Sequence, residues 1–325
     1  MNLNQFRFVR EAVRQNFNLS AAANTLFTSQ PGVSKAIIEL EDELGVEIFV
    51  RHGKRIKTLT EPGRAVLPII ERLLLEAENL KRLGQEFAAR DTGTLTIATT
   101  HTQARYSLPR IVQEFMRRFP GVRLSLLQGS PPHLAQMVLR GEADLAIATE
   151  SIADVPGLVS VPCFEWDHAV VVPRDHPLAR ELDRGPNQHA ALLTLEQLSH
   201  YPLVTYDAAF AGRKRVDEAF KKRNIAADIV LEAIDADVIK TYVEAGLGVG
   251  IVAGIAIDAQ RDTALHAIPA GHLFGRNVTR LAVRRGTYLR GYVYTFIGLI
   301  APGIDRPMME RLLFAAPGDA SSYQL

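Results

Sequence analysis

The sequence predicts an α/β chain: a mostly helical N-terminal winged helix-turn-helix, then a long helix, then a larger two-lobed α/β region. Three observations carry this. Two short helical patterns meet across a tight break before Gly45, and a hairpin with basic residues at its tip follows them. An extended amphipathic stretch comes next. From Thr94 onward, strand-like and helix-like runs alternate in two successive sets.

With 325 residues the chain has room for two or three domains with real cores. Its 47% apolar and 22% charged content places it among ordinary globular proteins. A formal net charge of +1 argues against indiscriminate nucleic-acid binding, so any such contact must come from a local basic patch. Cys163 is the single cysteine, which rules out an intrachain disulfide framework and disfavours a cysteine-based zinc site. No metal, cofactor or catalytic residue is expected. The first residues carry Arg7, Arg10 and Glu11 in a helical pattern without a signal-peptide core, and the apolar run 245–257 is glycine-rich and short. A cytoplasmic protein without membrane contact is the expectation.

Leu3, Phe6, Val9, Val13 and Phe17 recur at helical spacing, which predicts a first helix over about 3–15. Ser20 suits an N-cap for a short alanine-rich helix at 21–26, where small side chains let a neighbour approach. Gln30-Pro31 opens a third helix, since proline is tolerated in a first turn, and Gly45 stops it. Its N-terminal end would be the recognition element. Thr28, Ser29, Gln30, Pro31, Ser34 and Lys35 are the candidate DNA-reading residues; glutamine can pair adenine in a bidentate way, and serine or lysine can reach bases or phosphates.

Strands at 47–50 and 56–59 would flank the tip Arg51-His52-Gly53-Lys54-Arg55. A solvated hairpin is the ordinary reading of such a charge run. Beside a helix-turn-helix, Arg51, Lys54 and Arg55 become candidate phosphate contacts, supplying salt-dependent affinity. The run AAANTLFTSQPGVSKAI at 21–37, LEDELGVEIF at 40–49 and LTEPG at 59–63 together resemble the DNA-binding signature of LysR-type transcriptional regulators.

Thr60 and Pro62 can start the long helix, which is expected to run to about Ala89 with no proline intervening. Val66, Ile70, Leu73, Ala77, Leu80, Gly84 and Phe87 step by four and three, a heptad seam. At 1.5 Å per residue such a helix would span roughly 43 Å. Packing on its own domain is one reading of the seam. Pairing with a second chain, so that two recognition helices face two half-sites, suits its length better. The expected organisation is therefore 1–59 winged helix-turn-helix, 60–90 linker and dimerisation helix, and 91–325 effector-binding domain.

In that last region, strands at 95–98, 122–127 and 143–148 alternate with helices at 108–119 and 134–139. A second set follows, with strands at 169–173, 202–206, 229–231 and 249–252 and helices at 216–223 and 236–245. A strand at 278–283 and a helix at 289–300 close it. Ligands in such folds sit beyond strand C-termini, near helix N-termini. Thr99-Thr100-His101-Thr102-Gln103, Gly129-Ser130 and Thr149-Glu150 occupy those places and offer donors for a small anion. Each loop alone is equally readable as a helix cap.

The segments IATTHTQARY at 97–106, QGSP at 128–131, AIATE at 146–150, PLVTY at 202–206 and DADVIKTY at 235–242 resemble the sensing domain of the CysB-like subgroup, LysR-type regulators of sulfur assimilation and cysteine biosynthesis. The resemblance implies a two-lobed periplasmic-binding-protein-like effector domain, with lobe I at about 93–164 and 267–300 and lobe II at about 165–266. It also implies N-acetylserine, O-acetylserine, sulfate or thiosulfate as effector. By position, Thr100, Thr102, Gln103, Thr149, Trp166 and Thr205 would line the pocket, with Ser130 and Glu150 nearby. The implied partners are promoter DNA and further copies of the chain as a dimer of dimers, with RNA polymerase a candidate. Polar residues around 183–190 read as an insertion, which would tune ligand preference if it shapes the cleft mouth.

Rival readings are weaker. His101 with Glu150, helped by Asp167 or His168, would make an acid–base set, but no nucleophile motif, metal spacing or phosphate loop accompanies them. A sulfate-type solute-binding protein would explain the lobes and leave the winged helix unexplained. A regulator answering to another organosulfur or aromatic anion stays open.

Overall fold

In the computed structural model, which describes residues 1–53, 55–89, 91–183 and 192–315, helix α1 (Leu3–Arg14) opens the chain. Asn2 caps it with Gln5 in a reciprocal capping box. Helix α2 (Leu19–Thr25) begins earlier than expected. Asn18, not Ser20, is its cap, accepting from the amides of Ser20 and Ala21 at 3.1 and 3.0 Å. This start puts Leu19 inside the helix, where it reaches the core.

Helix α3 (Gln30–Leu44) ends at Gly45 in the left-handed conformation (φ 69°), as the glycine predicts. Strands β1 (Phe49–His52) and β2 (Arg55–Leu59) form the antiparallel wing, shifted by two residues from the expected first strand. The shift has a cause. Buried Glu41 accepts from the amides of Ile48 and Phe49 at 2.8 and 3.0 Å, so the Ile48 amide is taken by α3 and the ladder begins at Phe49, opposite Leu59. Phe6, Val9, Val33, Ile37, Leu40, Ile48 and Phe49 fill the core beneath.

Helix α4 (Glu61–Ala88) starts with Thr60 accepting from the Gly63 amide at 2.9 Å. At Gly63 a Cβ would stand 2.0 Å from the Ile48 carbonyl oxygen, so only glycine admits this approach. Pro68 lies inside the helix, against the expectation that no proline intervenes there. The seam is corrected too: Ile70 and Leu74 are buried in the head's own core, and the exposed apolar stripe is Ile69, Leu73, Leu80, Leu83 and Phe87. The first turns thus serve the head, and residues 1–88 make one compact unit, with 89–325 the other.

The second unit contains β3 (Gly93–Thr99), α5 (Leu108–Arg118), β4 (Val122–Gln128), α6 (Pro131–Arg140), β5 (Leu145–Ala148) and β6 (Leu158–Trp166). It continues through β7 (His168–Pro173), α7 (Pro177–Asp183), α8 (Leu195–Leu198), β8 (Leu203–Tyr206), α9 (Ala211–Arg223), β9 (Ile229–Ala233), α10 (Ala236–Glu244) and β10 (Val249–Ala253). Strand β11 (Leu265–Pro269), α11 (Gly271–Phe274), β12 (Asn277–Arg284), α12 (Gly291–Ile300) and α13 (Arg306–Phe314) complete it.

The lobe I sheet has the order β4-β3-β5-β12-β6, with β12 antiparallel to both neighbours. The lobe II sheet has the order β11-β7-β10-β8-β9, with β7 antiparallel to β10 and β11. The chain crosses between lobes at Asp167 and again over 270–276. The expected boundary at 267 falls inside β11, which pairs with β7 and so belongs to lobe II. Strand β6 escaped the sequence reading because Pro162 and a register shift opposite Thr279 and Arg280 break its alternation. Helix α13 was also missed; Met309, Leu312 and Leu313 bury it against lobe I. Of the expected 183–190 insertion, 184–190 lies outside the described residues. Among the described residues, no helix is long and apolar enough to cross a membrane.

Candidate functional site

In the N-terminal unit, Thr28, Ser29, Pro31 and Lys35 are exposed at the start of α3, with Gln30 and Ser34 partly so. Ser29 is the helix cap, accepting from the Gly32 amide at 3.3 Å, so part of its hydrogen-bonding capacity is already used. Lys35 stands 3.7 Å from Glu39 across one turn and remains open to solvent, a weak pair that another anion can displace. Arg51 needs correction as a wing-tip contact: its Nη2 is 2.6 Å from Glu41 Oε2. It neutralises a buried carboxylate. Arg55 is exposed, as is Lys57, while Lys54 lies outside the described residues. Sequence reasoning passed over Phe27, which is 98% exposed at a positive φ of 52° directly before the recognition helix. A lone phenylalanine gave no periodic signal there.

The second unit holds the other site. Thr100, Thr102, Gln103, Thr149 and Trp166 come together around a small cavity of about 30 Å³, joined by Tyr206, Phe210, Gly212 and Ala253. The Thr100–Gln103 segment follows β3 and leads into a π turn over Gln103–Ser107, a helix irregularity common at functional positions. Thr149 follows β5, and Trp166 ends β6. None of these lining side chains carries a formal charge.

Several polar atoms have no protein partner. Trp166 Nε1, Thr149 Oγ1 and Gln103 Oε1 are buried and unpaired, whereas Gln103 Nε2 donates to Thr279 Oγ1 at 3.0 Å. Leaving such groups dry and unmatched is costly, and indole nitrogen can only donate. The indole N–H and the Thr149 hydroxyl thus favour a group that accepts, such as a small oxyanion or carboxylate, while Gln103 Oε1 can only accept and calls for a donor. Tyr206 receives the Ala253 amide at 3.0 Å, and burial pushes its hydroxyl up to about 12, so it stays protonated.

Two expected residues stand elsewhere. Thr205 is buried with its hydroxyl donating to the Ile251 carbonyl at 3.3 Å, and it does not line the cavity. Neighbouring strand residues face opposite ways, so Tyr206 takes the place expected of Thr205. Ser130 sits at the start of α6 without a side-chain capping bond, also outside the lining set. Glu150 opens a 3₁₀ turn, and its side chain lies outside the described set. Tyr206 was within a quoted motif and Gly212 opens α9, so both were findable. Cys163 sits within β6, where burial pushes its thiol up to about 12, an inert state.

A polar bridge spans the lobes beside the cavity. From lobe I, Tyr106 donates to Asp237 Oδ1 at 2.6 Å and Arg105 Nε lies 2.9 Å from Oδ2; from lobe II, Lys240 donates to the Tyr106 hydroxyl at 3.0 Å. His101, with Asp235 and Asp237, forms a cluster with metal-like spacing. Asp235 already caps α10, and Asp237 faces Arg105 and Lys240, so protein cations take the role a metal would.

Comparison with known proteins agrees with both halves. Residues 3–64 match the bacterial regulatory helix-turn-helix family of lysR type, and residues 88–303 match the LysR substrate binding domain. The HTH-type transcriptional regulator CysB of Burkholderia cenocepacia is 63% identical over 325 residues, covering 100% of each chain. The regulator SsuR of the same organism is 53% identical over 313 residues, covering 96% of this chain and 99% of its own. The crystal structure of the cofactor-binding domain of the Cbl transcriptional regulator superposes with a TM-score of 0.64 at 43% identity, over 69% of this chain and 95% of that one. These relatives are named as regulators, not enzymes. The chain belongs to the LysR family of transcriptional regulators, of the CysB, Cbl and SsuR type.

Proposed function

We propose that this regulator controls genes of sulfur assimilation and cysteine biosynthesis, and that its cleft receives sulfate, thiosulfate or an acetylated serine. The carrying observation is the pair of buried, unpartnered groups, Trp166 Nε1 and Thr149 Oγ1, facing an uncharged cavity. Sulfate is fully ionised and purely an acceptor at neutral pH, which matches such donors. N-acetylserine and O-acetylserine each bring a carboxylate to the same place. Occupancy would shift the balance between lobe arrangements, and with it the spacing of the DNA-binding heads and the bend of the promoter.

The test is a gel-shift titration on sulfur-assimilation promoter DNA, with each ligand added in turn. N-acetylserine should alter the shifted species, and Thr149→Val should weaken ligand response about tenfold by removing one hydrogen bond without changing shape. Tight, salt-sensitive binding indifferent to every ligand would overturn the effector assignment. Thr100→Ala should act in the same direction.

For the heads to reach two half-sites, the chain must associate. The exposed stripe Ile69, Leu73, Leu80, Leu83 and Phe87 on α4 is the surface we assign to pairing with a second copy. Leu80→Glu, at a position 73% exposed in the single chain, should leave folding intact and shift sedimentation toward monomer. An unchanged oligomer would place the interface elsewhere.

A further inference from the structure

Both crossings between the lobes meet at one side chain. His168, the first residue of β7, is 1% exposed and follows the crossing residue Asp167. Its Nδ1 lies 3.2 Å from Nδ2 of Asn277, which ends the second crossing and opens β12. Its Nε2 lies 3.1 Å from the carbonyl oxygen of Gly212, in the first turn of α9. With a donor amide at Nδ1 and an acceptor carbonyl at Nε2, the ring is neutral and carries its proton on Nε2. Burial agrees with that state, pulling the imidazole down to about 4, with Arg215 on α9 acting in the same direction.

The ring also sets its neighbours. Trp166 packs edge-on against it at 5.2 Å, and Phe274 of α11 at 5.3 Å. A Cβ on Gly212 would stand 3.2 Å from His168 Nε2 and 3.4 Å from the Trp166 ring, so the three are in close contact. Trp166 and Gly212 both line the cavity, while His168 does not. The indole N–H that meets the cavity therefore has its direction fixed from behind.

We propose that His168 is the positioning residue of the cleft: it holds the Trp166 indole and the first turn of α9 in the orientation that receives an anion, and ties that orientation to both interlobe crossings. The second half rests on the reading that the cleft binds an anion. The first half is testable without any ligand.

Trp166 is the only tryptophan among 325 residues, so fluorescence of the full chain reports this site alone. His168→Phe keeps a ring but makes neither hydrogen bond. His168→Gln restores a donor toward the Gly212 carbonyl. In ligand-free protein, H168F should shift the Trp166 emission and raise its quenching by acrylamide, and H168Q should recover most of the difference. With sulfate as the probe, H168F should bind about tenfold more weakly, and H168Q within about threefold of the parent. Should H168F fail to fold, Asn277→Leu, which removes only the Nδ1 partner, takes its place in both arms. A purely structural role would lower the melting temperature while leaving emission, quenching and sulfate affinity of the folded protein unchanged, and that result overturns the proposal. If the ligand-free shifts appear but the parent chain ignores sulfate, positioning stands and the sulfate reading falls.

Discussion

Replacing Glu41 by alanine is expected to unfold the DNA-binding head and abolish promoter binding. The carboxylate is 7% exposed and takes three partners: the amides of Ile48 and Phe49 through Oε1, and Arg51 through Oε2. Alanine would leave two backbone donors and a part-buried guanidinium without their acceptor. Removing one side of such a buried charge pair costs about 3–5 kcal/mol, a large share of the roughly 5–15 kcal/mol that holds a domain together. Glu41→Gln keeps an acceptor for the two amides and loses only the charge facing Arg51, so its loss should be smaller, about 1–2 kcal/mol. Thermal melts of the two variants, with gel shifts at matched salt, check this. An alanine variant that melts with the parent would show that Arg51 and the corner amides find other partners.

The same contact explains where the sequence misleads. Glu41 lies within a signature that marks α3, yet nothing in the spacing shows its side chain reaching ten residues onward to Arg51. Charge runs are legible; which member of a run is already paired depends on tertiary approach. The long helix shows the same limit. Periodicity correctly marked an apolar face on α4, but Ile70 and Leu74 turn into the head's core while Leu80 and Phe87 stay exposed. A heptad count cannot separate those two uses of one face. Positions following strands were the most readable part of the cleft, because Thr100, Thr102, Gln103 and Thr149 inherit their places from the order of strands and helices. Thr205 failed for a local reason, since one residue of pleat decides whether a hydroxyl faces the cavity or the next strand. Tyr206, Phe210 and Gly212 come from lobe II, and their meeting with lobe I depends on the crossings and on the bridge from Arg105 and Tyr106 to Asp237 and Lys240.

Lys240→Met is expected to destabilise the second unit by about 3 kcal/mol, because it strands a part-buried carboxylate. Lys240 is 5% exposed, and its three ammonium protons serve Asp262, whose oxygens share one at 2.8 and 2.9 Å, the Ala256 carbonyl at 2.9 Å and the Tyr106 hydroxyl at 3.0 Å. Methionine matches its length and removes every one of these bonds, leaving Asp262 to the Asp258 amide at 2.8 Å. The loss should reach the lobe bridge as well, since Tyr106 would keep Asp237 and Arg105 but lose the second cation beside it. Burial alone would lower the Lys240 pKa, yet hydrogen bonds to Asp262 and Tyr106 outweigh it and hold the group above the ordinary lysine value. The contribution is therefore fully present below the unfolded lysine pKa and lost only as alkaline pH climbs through the folded one. Calorimetry of the parent, Lys240→Met and the double variant Lys240→Met with Asp262→Leu separates the causes. If the stranded charge is what matters, the double variant recovers stability despite losing one more native side chain. If the double variant is worse than the single one, packing around Lys240 carries the effect, and the ion pair is incidental to it.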